Sequence, residues 1–455
     1  MTNSIIRTLL FTLISSSAIL ALQPELRLAV PLLVGVTATM TLLLAGLLYF
    51  GERCKITMSS ATILTVALLL RLMFLFNPPQ LSDDINRYLW DGCTLLHGSN
   101  PYAAAPSATT VQPALAAIHS RINHPEFVTI YPPAAQVVFA GGAALGGTIT
   151  GLKFLLVLLD MGLCALLMAL LRRLEMPVWR AAIYAWNPLP VLEIAGSGHV
   201  DGAGLTMLTG ALCLLVAGRE RTVKRWHCLL SGALLAAAGL VKLFPFILAP
   251  LLFLLVPARQ RHFFITGFAA SLALLMAPFL PHLANMADSL DTYARNWEFA
   301  GFAFTTLRSL TGSGATARLI LSTAFLLAVT AILLRFARSI NRSGSPFSTA
   351  RQALAACHAT TMALLLLTPT LQPWYALSLA LFLPFCAGPA GLILCWVVFL
   401  TYQVQIPYYI LGQWNENPLV TAAVFLAPVT AWLLARLFYA SGGIGSHIRQ
   451  ASNHE

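Results

Sequence analysis

Charge is scarce in this chain. Asp, Glu, Lys and Arg make up 9% of its 455 residues, where a soluble domain carries about 25%. With 58% hydrophobic residues, that deficit excludes a soluble globular fold. Alternation of the barrel-strand type is also missing, which leaves helices that satisfy their own backbone groups within a bilayer. The eight cysteines lie mostly inside apolar runs and never as Cys-x-x-Cys, so neither a disulfide framework nor a zinc site is expected. The net charge of +11 comes with no basic stripe interleaved with aromatics, so nucleic acid is not an expected partner. No internal repeat with matching motifs is present, nor an inverted-repeat signature of a secondary transporter. No convincing cleavage site follows the apolar run in the first 22 residues, so an uncleaved first span is expected.

What the chain has instead is a series of apolar runs, most of them of a length to cross a bilayer. They read as spans at 5–22, 28–50, 58–76, 152–171, 181–196, 202–218, 228–240, 242–256, 264–280, 316–336, 352–371, 374–388, 390–411 and 418–439. The runs at 228–240 and 374–388 are weak and read as candidates for broken helices. The expected fold is thus all-α, a polytopic bundle of about 14 crossings in a single membrane domain, 1–455, with both termini inside. The Ala- and Gly-rich stretch 134–149 is the exception. A full crossing there would put Arg172, Arg173 and Arg180 outside, so it reads as a partial or re-entrant hairpin. With that choice the cytoplasmic side takes 18 of the 27 lysines and arginines, as the positive-inside rule requires. It takes only four of the 16 acids, an outer acidic excess that the rule does not require.

Two outer connections follow: 77–131, the longest polar stretch, and 281–315. The first opens on Ser82-Asp83-Asp84-Ile85-Asn86-Arg87-Tyr88-Leu89-Trp90-Asp91-Gly92. A helix is expected over 83–97, with Ser82 as N-cap and both carboxylates at the positive end of its dipole. Ile85, Leu89 and Leu96 fall on one side and Asp84, Arg87 and Asp91 on another, an amphipathic pattern suited to lying flat on the membrane surface.

The unusual polar residues gather on this outer side: Asp83, Asp84, Arg87, Tyr131, His199, Asp201, Lys242, Arg295 with Trp297-Glu298, Gln372-Pro373-Trp374-Tyr375, and Trp414-Asn415-Glu416. Ionisable groups near membrane depth are expensive and mark sites or pathways. Each also has a plainer reading. Asp83 and Asp84 serve as a helix-dipole pair, or one is a general base or metal ligand, with Arg87 one turn from Asp83 as a pairing partner. Lys242 snorkels to the interface, or meets a lipid phosphate. Asp201 caps a helix beside an incidental His199, or both face a substrate. Arg295 and its neighbours form a solvated loop, and Trp374 and Tyr375 belong to an interfacial belt. Arg71 and Asp160, inside spans, satisfy each other.

The order and spacing of these motifs resemble the GT-C superfamily of integral-membrane glycosyltransferases. The closest likeness is to its bacterial branch that uses polyprenyl-phosphate mannose, of the glycosyltransferase family 87 type. The likeness rests on Ser82-Asp83-Asp84, Arg87-Tyr88, Trp90-Asp91-Gly92, Gly98, Asn100-Pro101-Tyr102, Ile122-Asn123-His124 and Ile130-Tyr131-Pro132-Pro133 with Gln136. Farther on it rests on Trp186-Asn187-Pro188, His199-Val200-Asp201, Lys242-Leu243-Phe244-Pro245 and Pro373-Trp374-Tyr375, and it spans roughly 58–380. Two positions depart: the family's His before Pro-Trp-Tyr is Gln372, and its small polar residue after His199 is Val200.

The resemblance implies a first outer loop bearing the catalytic acid and transfer at the periplasmic face of the bacterial inner membrane. A hexosyl unit, mannosyl by preference, would move with inversion from a polyprenyl-phosphate donor to a glycan or glycolipid acceptor. Asp84, or Asp83, would be the base. Lys242 with Arg87 or Arg295 would meet the donor phosphate, and Tyr131, His199, Asp201, Trp374, Tyr375 and Gln372 would bind sugar or shape the cleft. A donor with one phosphate requires no metal, although paired carboxylates leave a divalent cation at Asp83 and Asp84 open. Arabinose or glucose would need the same apparatus. The rival readings are a flippase for lipid-linked saccharides, which would want polar residues throughout the bundle, and a noncatalytic assembly protein.

Overall fold

The computed structural model describes residues 2–111, 113–216, 223–340, 342 and 345–440. The side assigned to Arg219, Glu220, Arg221, Arg449 and Glu455, and so to the C-terminus, lies outside the described residues. The described chain is helical, with only an isolated bridge pairing Phe299 and Ala300 with Thr370. Seven helices are long and apolar enough to cross a membrane, from Val30–Arg53 to Pro418–Phe438, and four shorter apolar ones accompany them. The protein is an all-α membrane protein.

Three expected spans are broken, and proline is the common cause. Over 181–196 the chain passes through Ala182–Ala185, a turn at Pro188–Pro190 and a π-helical Val191–Gly196. Over 242–256 it forms Phe244–Ile247 and Ala249–Leu255, and from 374 it forms Pro373–Ala376 and Leu377–Ala380 before turning. Pro188, Pro190, Pro245, Pro250, Pro373 and Pro384 each remove a backbone donor. Irregular backbone at membrane depth survives only where protein covers it, and residues 181–195 and 376–384 are all buried. The run at 228–240, expected to be weak, is a continuous helix, Arg225–Val241. It packs on Arg261–Met276 where Gly232 and Gly267 bring each backbone against the other.

The stretch 134–149 holds one helix, Pro133–Ala143. Eleven residues rise about 16 Å, half of a hydrocarbon core. Its role is to cover the helix Asp84–Leu96, which corrects the expectation for that element. Rather than lying on a surface, residues 85–93 of that helix are buried. Tyr88 stacks on Phe139 at 4.5 Å, and Gly92 lets the two backbones meet, since a Cβ there would collide with the Phe139 carbonyl. Asp83, not Ser82, is the N-cap residue, while the Ser82 hydroxyl still accepts from the Asp84 amide at 3.3 Å.

Buried charges hold the frame. Arg71 donates to Asp160 at 2.6 Å and to the carbonyls of Ala67 and Ala185, and Tyr184 donates to the other Asp160 oxygen at 2.7 Å. The pair satisfies itself, as expected. Lys153 donates at 2.7 Å to the carbonyls of Phe74 and Asn77, placing a cation on the negative end of the helix Ser60–Leu75. That contact sets where the chain leaves this helix toward Asp83.

Gly92 and Gly141 separate packing from propensity. Gly92→Ala must force the two helices apart, at a cost of about 1–3 kcal/mol for overpacking. In Gly141→Ala the new Cβ meets Leu155 at an ordinary 3.4 Å on an exposed position, and the better helix former adds up to about 1 kcal/mol. Thermal unfolding in detergent should therefore show a lowered midpoint for the first variant and an equal or raised one for the second.

Candidate active site

A cavity of about 940 Å³ lies where several helix ends meet. Its walls come from the start of Asp84–Leu96, the segment 123–132, Asp201 at the start of one apolar helix, Lys242 after another, and residues 289–299 and 364–378. Of the residues expected at a site, Asp83, Asp84, Arg87, Tyr131, Asp201, Lys242, Gln372, Trp374 and Tyr375 line it.

The two adjacent carboxylates have different company. Asp83 accepts from Arg27 at 2.9 Å, on the short link between the first two helices, and Arg27 also donates to the Gln80 carbonyl. Among the described residues Asp84 has no cation on it. One of its oxygens accepts from Asn123 and the other from the Tyr131 hydroxyl, both at 3.1 Å. Each carboxylate oxygen has room for a second donor, so Asp84 is oriented but not used up. Tyr131 is itself pinned: Tyr88 donates to its hydroxyl at 3.1 Å, and Tyr102 and Gln136 donate to its carbonyl. Burial, with the Asp84 carboxylate close by, holds the Tyr131 hydroxyl well above its ordinary pKa, so it stays a donor at neutral pH.

Arg87 does not pair with Asp83. It reaches one turn the other way to Asp91 at 2.9 Å, and its other arm donates to the Phe127 carbonyl at 3.0 Å. This buried i,i+4 pair ties the helix Asp84–Leu96 to the segment that carries Asn123. Burial raises the Asp91 carboxyl against the opposing pull of Arg87.

Lys242 sits across the cleft. Its ammonium donates to Asp201 at 3.2 Å and lies 5.7 Å from the Tyr131 ring centroid and 5.2 Å from that of Tyr375. A cation between two aromatic rings gains about 0.5–2 kcal/mol from their π faces. The Tyr375 hydroxyl bonds that of Tyr293 at 2.7 Å, Tyr293 stacks on Trp297 at 5.2 Å, and His124 meets Trp297 edge-on at 4.8 Å. Asn123 then leads back to Asp84. The contacts close into a ring around the cavity: Asp84, Tyr131, Lys242, Tyr375, Tyr293, Trp297, His124, Asn123.

Two expected site residues are not on the cavity wall. Arg295 is exposed and paired with Asp291 at 2.9 Å on its own helix, Leu283–Asn296, although Tyr293 and Asn296 on either side of it reach the cavity. His199 is fully buried and stacks on the back of Trp374 at 3.9 Å, 3.6 Å from Glu193, which accepts from Tyr402 at 2.8 Å. It supports a lining residue instead of being one. Asp83 and Asp84 turn to different partners, and among the described residues no group of three or more His, Cys, Asp or Glu side chains is arranged to hold a metal ion.

Arg27, Asn123, Tyr293 and Trp297 also line the cavity, although Asn123 entered the reading only as part of a motif, Trp297 only as a neighbour of Arg295, and Arg27 and Tyr293 not at all. Arg27 had a signal in the charge count, which puts it on the same side as Asp83. Trp297 reaches the cleft because the bridge at Phe299 and Thr370 ties its loop to Gln372-Pro373-Trp374. No local pattern announces that pairing.

The family model for the N-terminal domain of alpha-(1->6)-mannopyranosyltransferases, the MptA_B family, matches residues 11–258. No curated protein shows a significant match to the chain. The matched segment holds Asp83, Asp84, Tyr131, Asp201 and Lys242, and it ends before Trp374 and Tyr375, which the fold brings to the same cavity. A match over more than half of the chain, on a helical membrane frame with a polar cleft, places this protein in the MptA_B family of mannopyranosyltransferases: it is a membrane glycosyltransferase.

Proposed function

We propose that this enzyme transfers a mannosyl unit from a polyprenyl phosphate to a hydroxyl of a glycan or glycolipid, with Asp84 as general base. The observation that carries the reading is the placement of Asp84 and Lys242 on one ring around one cavity, with Tyr131 touching both. The acceptor oxygen attacks the anomeric carbon as its proton passes to Asp84, and the bond from that carbon to the phosphate oxygen breaks. Lys242 stabilises the departing polyprenyl phosphate, held ready by Asp201 and the two tyrosine rings. Arg87 acts as frame on this reading, holding the loop of Asn123, and Arg295 has no part. With one phosphate in the donor, the step requires no metal.

The lipid end has a suitable wall. Leu243, Phe244, Ile247, Leu364 and Leu365 line the same cavity, an apolar surface for a polyprenyl chain. On the topology that the lysine and arginine bias supports, the cleft opens at the periplasmic face of the inner membrane. The family name describes an α-linked product. A single displacement that forms an α linkage needs a donor of the opposite, β configuration, so the transfer inverts.

Membranes containing the wild type should transfer label from polyprenyl-phosphate mannose. Asp84→Asn should lower the rate by about 10²- to 10⁴-fold, the usual worth of a positioned base. Asp83→Asn loses an Arg27 partner and should retain clearly more activity; equal losses would overturn the assignment of roles. Stereochemistry gives a separate check. Synthetic β-linked polyprenyl-phosphate mannose should be consumed and its α anomer left untouched, and use of the α anomer would rule out a single displacement.

A further inference from the structure

The ring around the cavity has an arc that the reaction as proposed does not use. Tyr293, Trp297 and His124 run from Tyr375 to Asn123, the residue that bonds Asp84. All of them line the cavity and none is buried. Trp297 is fixed through its backbone: its carbonyl accepts from Thr370 at 2.9 Å and from Arg318 at 3.4 Å. Among the described residues its indole N–H has no partner. His124 takes a left-handed backbone, φ 51°, a conformation that non-glycine residues seldom hold, and its ring meets the indole from there. A rigid aromatic surface with a free N–H donor, next to a carboxylate, matches one chemical class well. A pyranose has an apolar face of C–H groups for the rings and hydroxyls for the N–H and the carboxylate.

We infer that Trp297, with Tyr293 and His124 beside it, is the platform for the acceptor sugar, seating a mannose-type pyranose so that its hydroxyl reaches Asp84. The inference rests on the proposed roles of Asp84 and Lys242, because those put the donor phosphate at the opposite side of the ring. The apolar wall of Leu243, Phe244 and Leu364 then receives the lipid, and the aromatic arc receives the glycan.

Binding separates this inference from the donor assignment. The probe is the methyl glycoside of an alpha-(1->6)-linked mannose disaccharide, titrated calorimetrically into the full-length protein in detergent without donor. Trp297→Ala should weaken binding about tenfold, the equivalent of one lost aromatic stacking surface. Trp297→Phe, which keeps a ring and loses the N–H, should stay within about threefold of wild type. Arg295→Ala, on the same loop but outside the cavity, should bind as wild type does. Equal affinity of Trp297→Ala and wild type would overturn the platform, as would no binding to wild type at all. If Trp297→Ala loses binding while the wild type fails to use polyprenyl-phosphate mannose, the platform stands and the donor assignment falls. In an active enzyme the Trp297→Ala defect should appear in the acceptor KM with the donor KM unchanged, and a matching rise in the donor KM would assign the arc to the donor.

Discussion

A polar helix that is buried must have its charges answered, and the site of this protein is built from those answers. The helix Asp84–Leu96 carries Asp84, Arg87 and Asp91 and follows Asp83, yet residues 85–93 are out of solvent. Arg87 and Asp91 neutralise each other, and Arg27 reaches Asp83 from another segment. Asp84, among the described residues, is held by the neutral donors Tyr131 and Asn123. A carboxylate oriented by neutral donors suits the base role proposed for Asp84, whereas its neighbour is occupied by Arg27. The asymmetry follows from partners that lie far off in sequence and could not be read from two adjacent aspartates.

The cover over that helix matters as much as its charges. Pro133–Ala143 is too short to cross a bilayer and is spent on packing, with Phe139 on Tyr88 and its backbone against Gly92. The same segment delivers Tyr131 just before its first turn, pinned by Tyr102 and Gln136. Lys153 fixes where the chain turns toward Asp83 by capping the preceding helix. The rigidity of the cleft is thus assembled from short elements around long apolar ones, which keeps side chains on irregular backbone from drifting.

The family match and the fold divide the cleft between them. The matched segment supplies Asp84, Tyr131, Asp201 and Lys242, while Tyr293, Trp297, Trp374 and Tyr375 come from beyond it. The later segment is joined to the earlier one by His199 on Trp374, Lys242 over Tyr375 and His124 against Trp297, while the Tyr293–Tyr375 hydroxyl bond and the bridge at Thr370 tie the later segment to itself.

Apolar run length is a local property, and it was enough to determine a helical membrane protein; the polar motifs between the runs pointed to nine of the residues that line its cleft. Run length pointed to the break at 374–388 but also to 228–240, which is continuous, and it missed the breaks at 181–196 and 242–256, where proline removes backbone donors. Partner choice was another matter. Whether Arg87 turns to Asp83 or Asp91, whether His199 lines the cleft or backs Trp374, and whether Arg295 or Trp297 faces inward depend on distances between segments far apart in the chain. The burial of the Asp84 helix did as well, since amphipathic periodicity fits a membrane surface and a protein cover equally. Only packing in three dimensions decides between two partners of equal chemistry, because the energy of each contact depends on where the other segments come to rest.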